Sequence, residues 1–185
     1  MPWVWIGVGA AAALVLLLAL GYNRMVRLRN EVDTGWSNID VQLNRRADLI
    51  PNLVDTVRAY AAHEREVFQH VTEARAALQG AGSPRAAAVA EDALTAALGR
   101  LFAVAEAYPE LQASANFLRL QEDLTDTEDK ISAARRYYNA TVMRYNTAIQ
   151  SVPGVLFAGP MGFREREFFS AGDDARAVPA VELRA

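Results

Sequence analysis

A chain of 185 residues has room for one membrane span and one domain. Its net charge of −3 is too mild to point to nucleic acid. It contains no cysteine, which excludes disulfides, a thiolate metal site and a cysteine nucleophile.

The first charged side chain is Arg24. The preceding residues, 1–23, are mostly apolar and include Trp3, Trp5, four alanines from Ala10 to Ala13 and an unbroken run from Leu14 to Leu18. A bilayer crossing needs about 20 such residues at roughly 1.5 Å each. The aliphatic side chains favour insertion by roughly −3 to −5 kcal/mol, with no buried charge to oppose them. A cleaved signal peptide would have positive side chains before a short apolar core and a small-residue site after it. Leu20, Gly21, Tyr22 and Asn23 make a poor site of that kind, so the segment reads as an uncleaved anchor. Arg24, Arg27 and Arg29 follow the span with nothing to match them before it. The positive-inside rule then puts the N-terminus outside and the remainder in the cytoplasm. Trp3, Trp5 and Tyr22 fall where interfacial aromatics belong.

From Trp36 an apolar register with 3-4 spacing runs through Ile39, Leu43, Arg46, Ile50, Leu53, Val57, Tyr60, Glu64, Val67, Val71, Ala74 and Leu78. This spacing predicts one long helix face. Pro51 removes a backbone bond and crowds the preceding turn, so a kink or brief break is expected around Asp48 to Pro51, and the unshifted apolar register favours the kink. Gly80 and Gly82 end that helix, and Ser83-Pro84 starts the next as cap and first residue. The second helix is expected over about 85–107, with Val89, Ala93, Ala97, Leu101 and Val104 on its apolar side. After Tyr108-Pro109 a third long helix carries Phe117, Leu120, Leu124, Thr127, Ile131, Ala134, Tyr138, Val142, Tyr145 and Ile149, and stops near Pro153-Gly154. Striped helices with short connections bury their stripes against one another, antiparallel. The expected organisation is all-α: a transmembrane anchor at 1–23, a bundle of three to four helices at 24–152, and a strap with a disordered tail at 153–185. In that last segment Phe157, Phe163, Phe168 and Phe169 sit among Gly154, Gly159, Pro160 and Gly162. The glycines and prolines rule out a long regular helix, and the segment reads as a flexible interaction element outside the core, with phenylalanines that need a surface.

Polar residues inside these stripes carry a resemblance. They are Trp36 to Leu43 running into Arg45, Arg46, Ala47, Asp48, Leu49, Ile50, Pro51, Asn52 and Leu53; Glu106 to Leu111; Asn116-Phe117; Leu120-Gln121; Thr127-Glu128; Ala134-Arg135; and the paired Tyr138-Asn139 and Tyr145-Asn146. In these motifs, from about Tyr22 to Phe169, the chain resembles the LemA family of bacterial membrane proteins. The last 15 or so residues lie outside the likeness. The resemblance implies one N-terminal span, a cytoplasmic antiparallel bundle and no well-defined biochemical activity.

Each polar group has two readings. Arg45, Arg46, Asp48 and Asn52 form either a patch for an anionic ligand or partner, or a structural set in which one Arg meets a carboxylate of a neighbouring helix. Arg46 and Glu64 fall in the apolar register, where an unpaired charge is expensive. Glu106, Glu128 and Arg135 are candidate partners from other helices. Tyr138 and Tyr145 are seven residues apart and share one helix face with Asn139 and Asn146 beside them. They form either an aromatic ladder for a ligand or core packing with hydroxyls and amides satisfied between helices. His63 and His70 stand about 10 Å apart on a helix, too far to share a metal ion. No residue set points to a catalytic centre, a cofactor or a metal. The functional expectation is a non-catalytic, membrane-anchored scaffold or interaction module that associates with itself or with other membrane proteins. The alternatives are a lipid-contacting, membrane-remodelling module, or a ligand receptor or enzyme built on the Arg45, Arg46 and Asp48 region.

Overall fold

The computed structural model describes residues 2–170. The tail expected beyond the strap, 171–185, lies outside the described residues. The helices are α1 (Pro2–Arg58), α2 (Arg65–Gln79), α3 (Pro84–Ala105), α4 (Pro109–Gln112) and α5 (Ala115–Gln150), followed by a 3-10 turn at Gly154–Leu156. No strand occurs among the described residues. The protein is all-α, with a long apolar helix at its N-terminus.

The chain forms two compact units, and α1 and α5 each contribute to both. One unit combines the residues up to Ile39 with Ala133–Glu167. Here the two helices run antiparallel: Glu31 pairs with Arg144 at 3.4 Å, and Trp36 lies 6.1 Å from the Tyr138 ring. A side chain at Gly35 would meet the Tyr138 backbone at 3.4 Å, so the helices approach closely at this level. Met25, Val32, Tyr138, Val142, Tyr145 and Ile149 are buried between them. The apolar residues from Trp3 to Leu17 are exposed along their length, and contact with the rest of the unit begins at Gly21 and Tyr22.

Of the described residues, the other unit combines Asp40–Ser132 with 168–170. Arg46 faces Glu128 and Thr56 meets Asn116, again an antiparallel pairing of α1 with α5. Here α2 packs on α3. Ser83 caps α3 by accepting from the Ala86 amide at 3.2 Å, and Pro84 fills the first turn.

Two expectations need correction, and one alternative is settled. First, of the kink or break expected at Pro51 the break does not occur; α1 continues to Arg58. A proline removes the amide that would bond the carbonyl four residues earlier, here Ala47. The Arg75 side chain of α2 fills that vacancy, donating from Nε to the Ala47 carbonyl at 2.7 Å. The break comes at 59–64 instead, where no Gly or Pro announces it. Tertiary packing overrides an Ala-rich, helix-favouring local sequence there, because reversing the chain lets Phe68, Val71 and Leu78 bury. Tyr60 and Glu64 therefore leave the helical register; Tyr60 is exposed. Second, the buried face of α3 is rotated from the expected one: Ala97 and Leu101 are buried as expected, but Val89 and Ala93 are exposed and Val104 is half-buried. Ala87, Glu91, Leu94, Leu98 and Ala105 are also buried. Small alanines admit close approach, and the 3-4 register they share with three leucines wins. Third, Phe157, Phe163 and Phe169 are buried and Phe168 is half-buried. The strap is part of the packed structure: each phenylalanine so buried contributes about 1.5–3 kcal/mol.

Candidate functional site

Some polar residues of the motifs form two centres, one in each unit. The first is centred on Arg46, which α1 directs inward among Leu43, Ala47 and Ile50. Its guanidinium nitrogen Nη1 bonds Glu91 Oε1 of α3 at 2.6 Å, and Nη2 lies 3.7 Å from Glu128 Oε2 of α5. Arg46 and Glu91 are almost completely buried, whereas Glu128 is exposed. A buried charge pair offsets its desolvation only when geometry is good and further bonds are made. The second carboxylate and a 3.4 Å contact from Thr95 Oγ1 to Glu91 serve that end. Arg46 Nε and Gln42 Oε1, a donor and an acceptor one turn apart on α1, are buried without a partner.

The other members of the expected patch do not join this centre. Arg45 points outward, 3.7 Å from Asp126, which also bonds Lys130 at 2.7 Å. The Lys130 hydrogen bond holds the Asp126 carboxyl below its usual range. Asp48 is exposed. Asn52 is exposed and offers its backbone carbonyl to Thr56 Oγ1 at 2.7 Å. Glu64 sits between helices at the start of α2 and makes no side-chain cap. Glu106 ends α3, where its carbonyl accepts from Gln112 Nε2 at 3.2 Å. Arg135 and Asn139 are half-buried on α5. The partner that sequence reasoning missed is Glu91. Its signal was present, since it lies in the Ala87, Leu94, Leu98 register.

The second centre is a clamp on the strap. Asn146 binds the Arg166 backbone in both directions: its Nδ2 donates to the Arg166 carbonyl and its Oδ1 accepts from the Arg166 amide, each at 2.9 Å. The Tyr138 hydroxyl donates to the Glu167 carbonyl at 2.8 Å. The Arg166 guanidinium then reaches Asp33 of α1 at 2.7 Å. Above the clamp, Phe163 packs edge-on against Tyr22 at 5.6 Å and lies under the Arg29 guanidinium at 5.5 Å. Tyr138 and Asn146, two members of the Tyr-Asn motifs, thus satisfy an irregular segment that cannot satisfy its own backbone. Burial pushes the Tyr138 phenol up to about 12, against the opposing pull of the Arg166 cation. Burial raises Tyr145 as well, opposed by Arg166 and Arg29. The Tyr138 phenol stays protonated at neutral pH, as a hydrogen-bond donor must. Asp33 and Arg166 carry no signal in the sequence, because their contact depends on where the strap folds.

The LemA family model matches residues 35–183. The chain belongs to the LemA family. The match reaches past Phe169, where the motif likeness stops, and takes in most of the tail. This LemA-family chain is 29% identical over 189 residues to the magnetosome protein MamQ of Magnetospirillum gryphiswaldense, covering 86% of the chain and 70% of the relative. MamQ 2 of Paramagnetospirillum magneticum is similar to the same extent. Protein LemA of Metamycoplasma hominis is 27% identical over 167 residues, covering 88% of this chain and 75% of its own. The family, together with an apolar helix long enough to cross a bilayer, supports membrane association.

Proposed function

We propose that this LemA-family protein is a membrane-anchored, non-catalytic scaffold that associates with itself and with other membrane proteins. The observation that carries the reading is the continuity of α1: one helix from Pro2 to Arg58 holds both the apolar segment and a packing face of the bundle. Such continuity joins the apolar segment directly to the bundle, which is what a scaffold at a membrane requires. The polar motif residues support the reading too, since Arg46, Tyr138 and Asn146 are engaged in holding helices and strap together. Relatives named as proteins of the magnetosome fit a part in organising a larger body.

The body is assigned to the cytoplasm, on the strength of Arg24, Arg27 and Arg29 beyond the span. A reporter active only outside the cytoplasm, fused after Ala185, is expected to stay silent. A strong signal from it would overturn the orientation while leaving the anchor in place.

A further inference from the structure

Two glycines fix the height of the strap on α1. The Phe157 ring occupies the space of the missing Gly21 side chain, where a Cβ would stand 2.6 Å from the ring tip. Gly154 sits against Met25 and the Ala148 carbonyl so closely that no side chain fits. Gly21 directly follows Leu20, the last apolar residue of the exposed segment. From Trp3 to Tyr22 the helix rises about 29 Å, the thickness of a bilayer's hydrocarbon core. The strap therefore crosses α1 at the level where the span leaves the hydrocarbon.

With the phenylalanines turned inward, the strap shows a different set of side chains outward. Val152 is 78% exposed, Leu156 74% and Val155 50%. These aliphatic side chains are left largely exposed, on a strap that meets α1 at Gly21, just past the apolar segment. Arg24 borders the same cleft as Val152, Pro153 and Gly154, so a cation stands beside the apolar patch, as it does in segments that rest on anionic headgroups. We infer that Val152, Val155 and Leu156 form a second membrane contact, seated in the interfacial region of the bilayer that the span crosses. The inference rests on the anchored reading above. It assigns the strap two faces: phenylalanines that clamp it to α1 and aliphatic residues that enter lipid. A bilayer is the occupant because the patch adjoins the span at the interfacial level, and any inserted span brings lipid there.

The absence of cysteine allows single-site labelling of the full chain. Leu156→Cys, Leu16→Cys and Tyr137→Cys, each carrying an environment-sensitive fluorophore, are reconstituted into vesicles of mixed zwitterionic and anionic lipid. Tyr137 is exposed and stands about 16 Å along α5 from Ala148. Nitroxide-bearing lipid is expected to remove most of the emission at position 16, a large share at 156 and little at 137, with a blue shift at 16 and 156 only. Quenching of 156 by aqueous iodide to the same degree as 137, with no effect of lipid nitroxide, would overturn the inference. So would protection of 156 from both quenchers at high protein-to-lipid ratio, which would mark a second copy as the occupant. Loss of lipid quenching at position 16 would overturn the anchored reading itself, and is read separately from position 156.

Discussion

Arg75 Nε donates to the Ala47 carbonyl at 2.7 Å, the oxygen that Pro51 deprives of its helical partner. A long side chain from α2 thereby repairs a defect in α1, and the repair ties the two helices together. Arg75→Ala is expected to lower stability by about 1–3 kcal/mol, the cost of leaving a sequestered backbone acceptor unmet. In a Pro51→Ala background the restored amide supplies the bond, and the same Arg75 change should cost clearly less. Thermal melts of the four proteins in detergent, followed by circular dichroism, measure that coupling. Equal costs in both backgrounds would mean that Arg75 acts elsewhere.

The Arg46–Glu91 pair is the most buried charge contact described in the bundle. Glu91→Ala leaves the arginine stranded and is expected to cost about 3–5 kcal/mol. The double change Arg46→Met with Glu91→Leu removes both charges and should recover most of that loss or exceed the parent. Glu122→Ala, on an exposed face, should stay within about 0.5 kcal/mol. The contrast between one charge lost and both lost is the diagnostic result.

Asn146 holds the strap by two bonds to Arg166. In Asn146→Ala the Arg166 amide loses its acceptor, and its hydrogen exchange should speed up at least about tenfold, which corresponds to about 1.4 kcal/mol. Removing everything after Val152 goes further. It strips Phe157 and Phe163 from the core, so the cooperative melt should shift down markedly. An unchanged melt would place the strap outside the structure.

Tyr138 predicts a stability loss in alkali. Its folded value lies near 12 against an ordinary value of 10. The folded state therefore holds the proton more tightly than the unfolded state. Its contribution is fully present below pH 10 and drains away as pH rises toward 12. Absorbance of the tyrosinate band should show the Tyr138 and Tyr145 phenols titrating late, and Tyr138→Phe should remove one of these steps and lessen the alkaline loss of stability.

Much of the fold is legible in the sequence, because helical stripes and Ser-Pro or Gly punctuation are local signals. The α5 register and the start of α3 follow directly from them. The turn at 59–64 carries no such signal; it exists because Phe68 and Val71 have somewhere to bury. Pro51 is a true local signal that a distant residue, Arg75, cancels. The α3 face is only partly legible, because Val89 outweighs alanine in hydropathy whereas close helix packing favours the small residue. The strap was the least legible part: Gly and Pro do report irregular backbone, but irregular backbone is not loose backbone when Asn146 and Tyr138 supply its hydrogen bonds.

The scaffold reading is tested most directly by the mass of the intact assembly, taken after affinity purification of the full chain from membranes in mild detergent, with mass spectrometry of what comes with it. A defined multimer, alone or with other membrane proteins in fixed proportion, is the result expected. A monomer of 20.2 kDa in its detergent belt, recovered without partners, would contradict it.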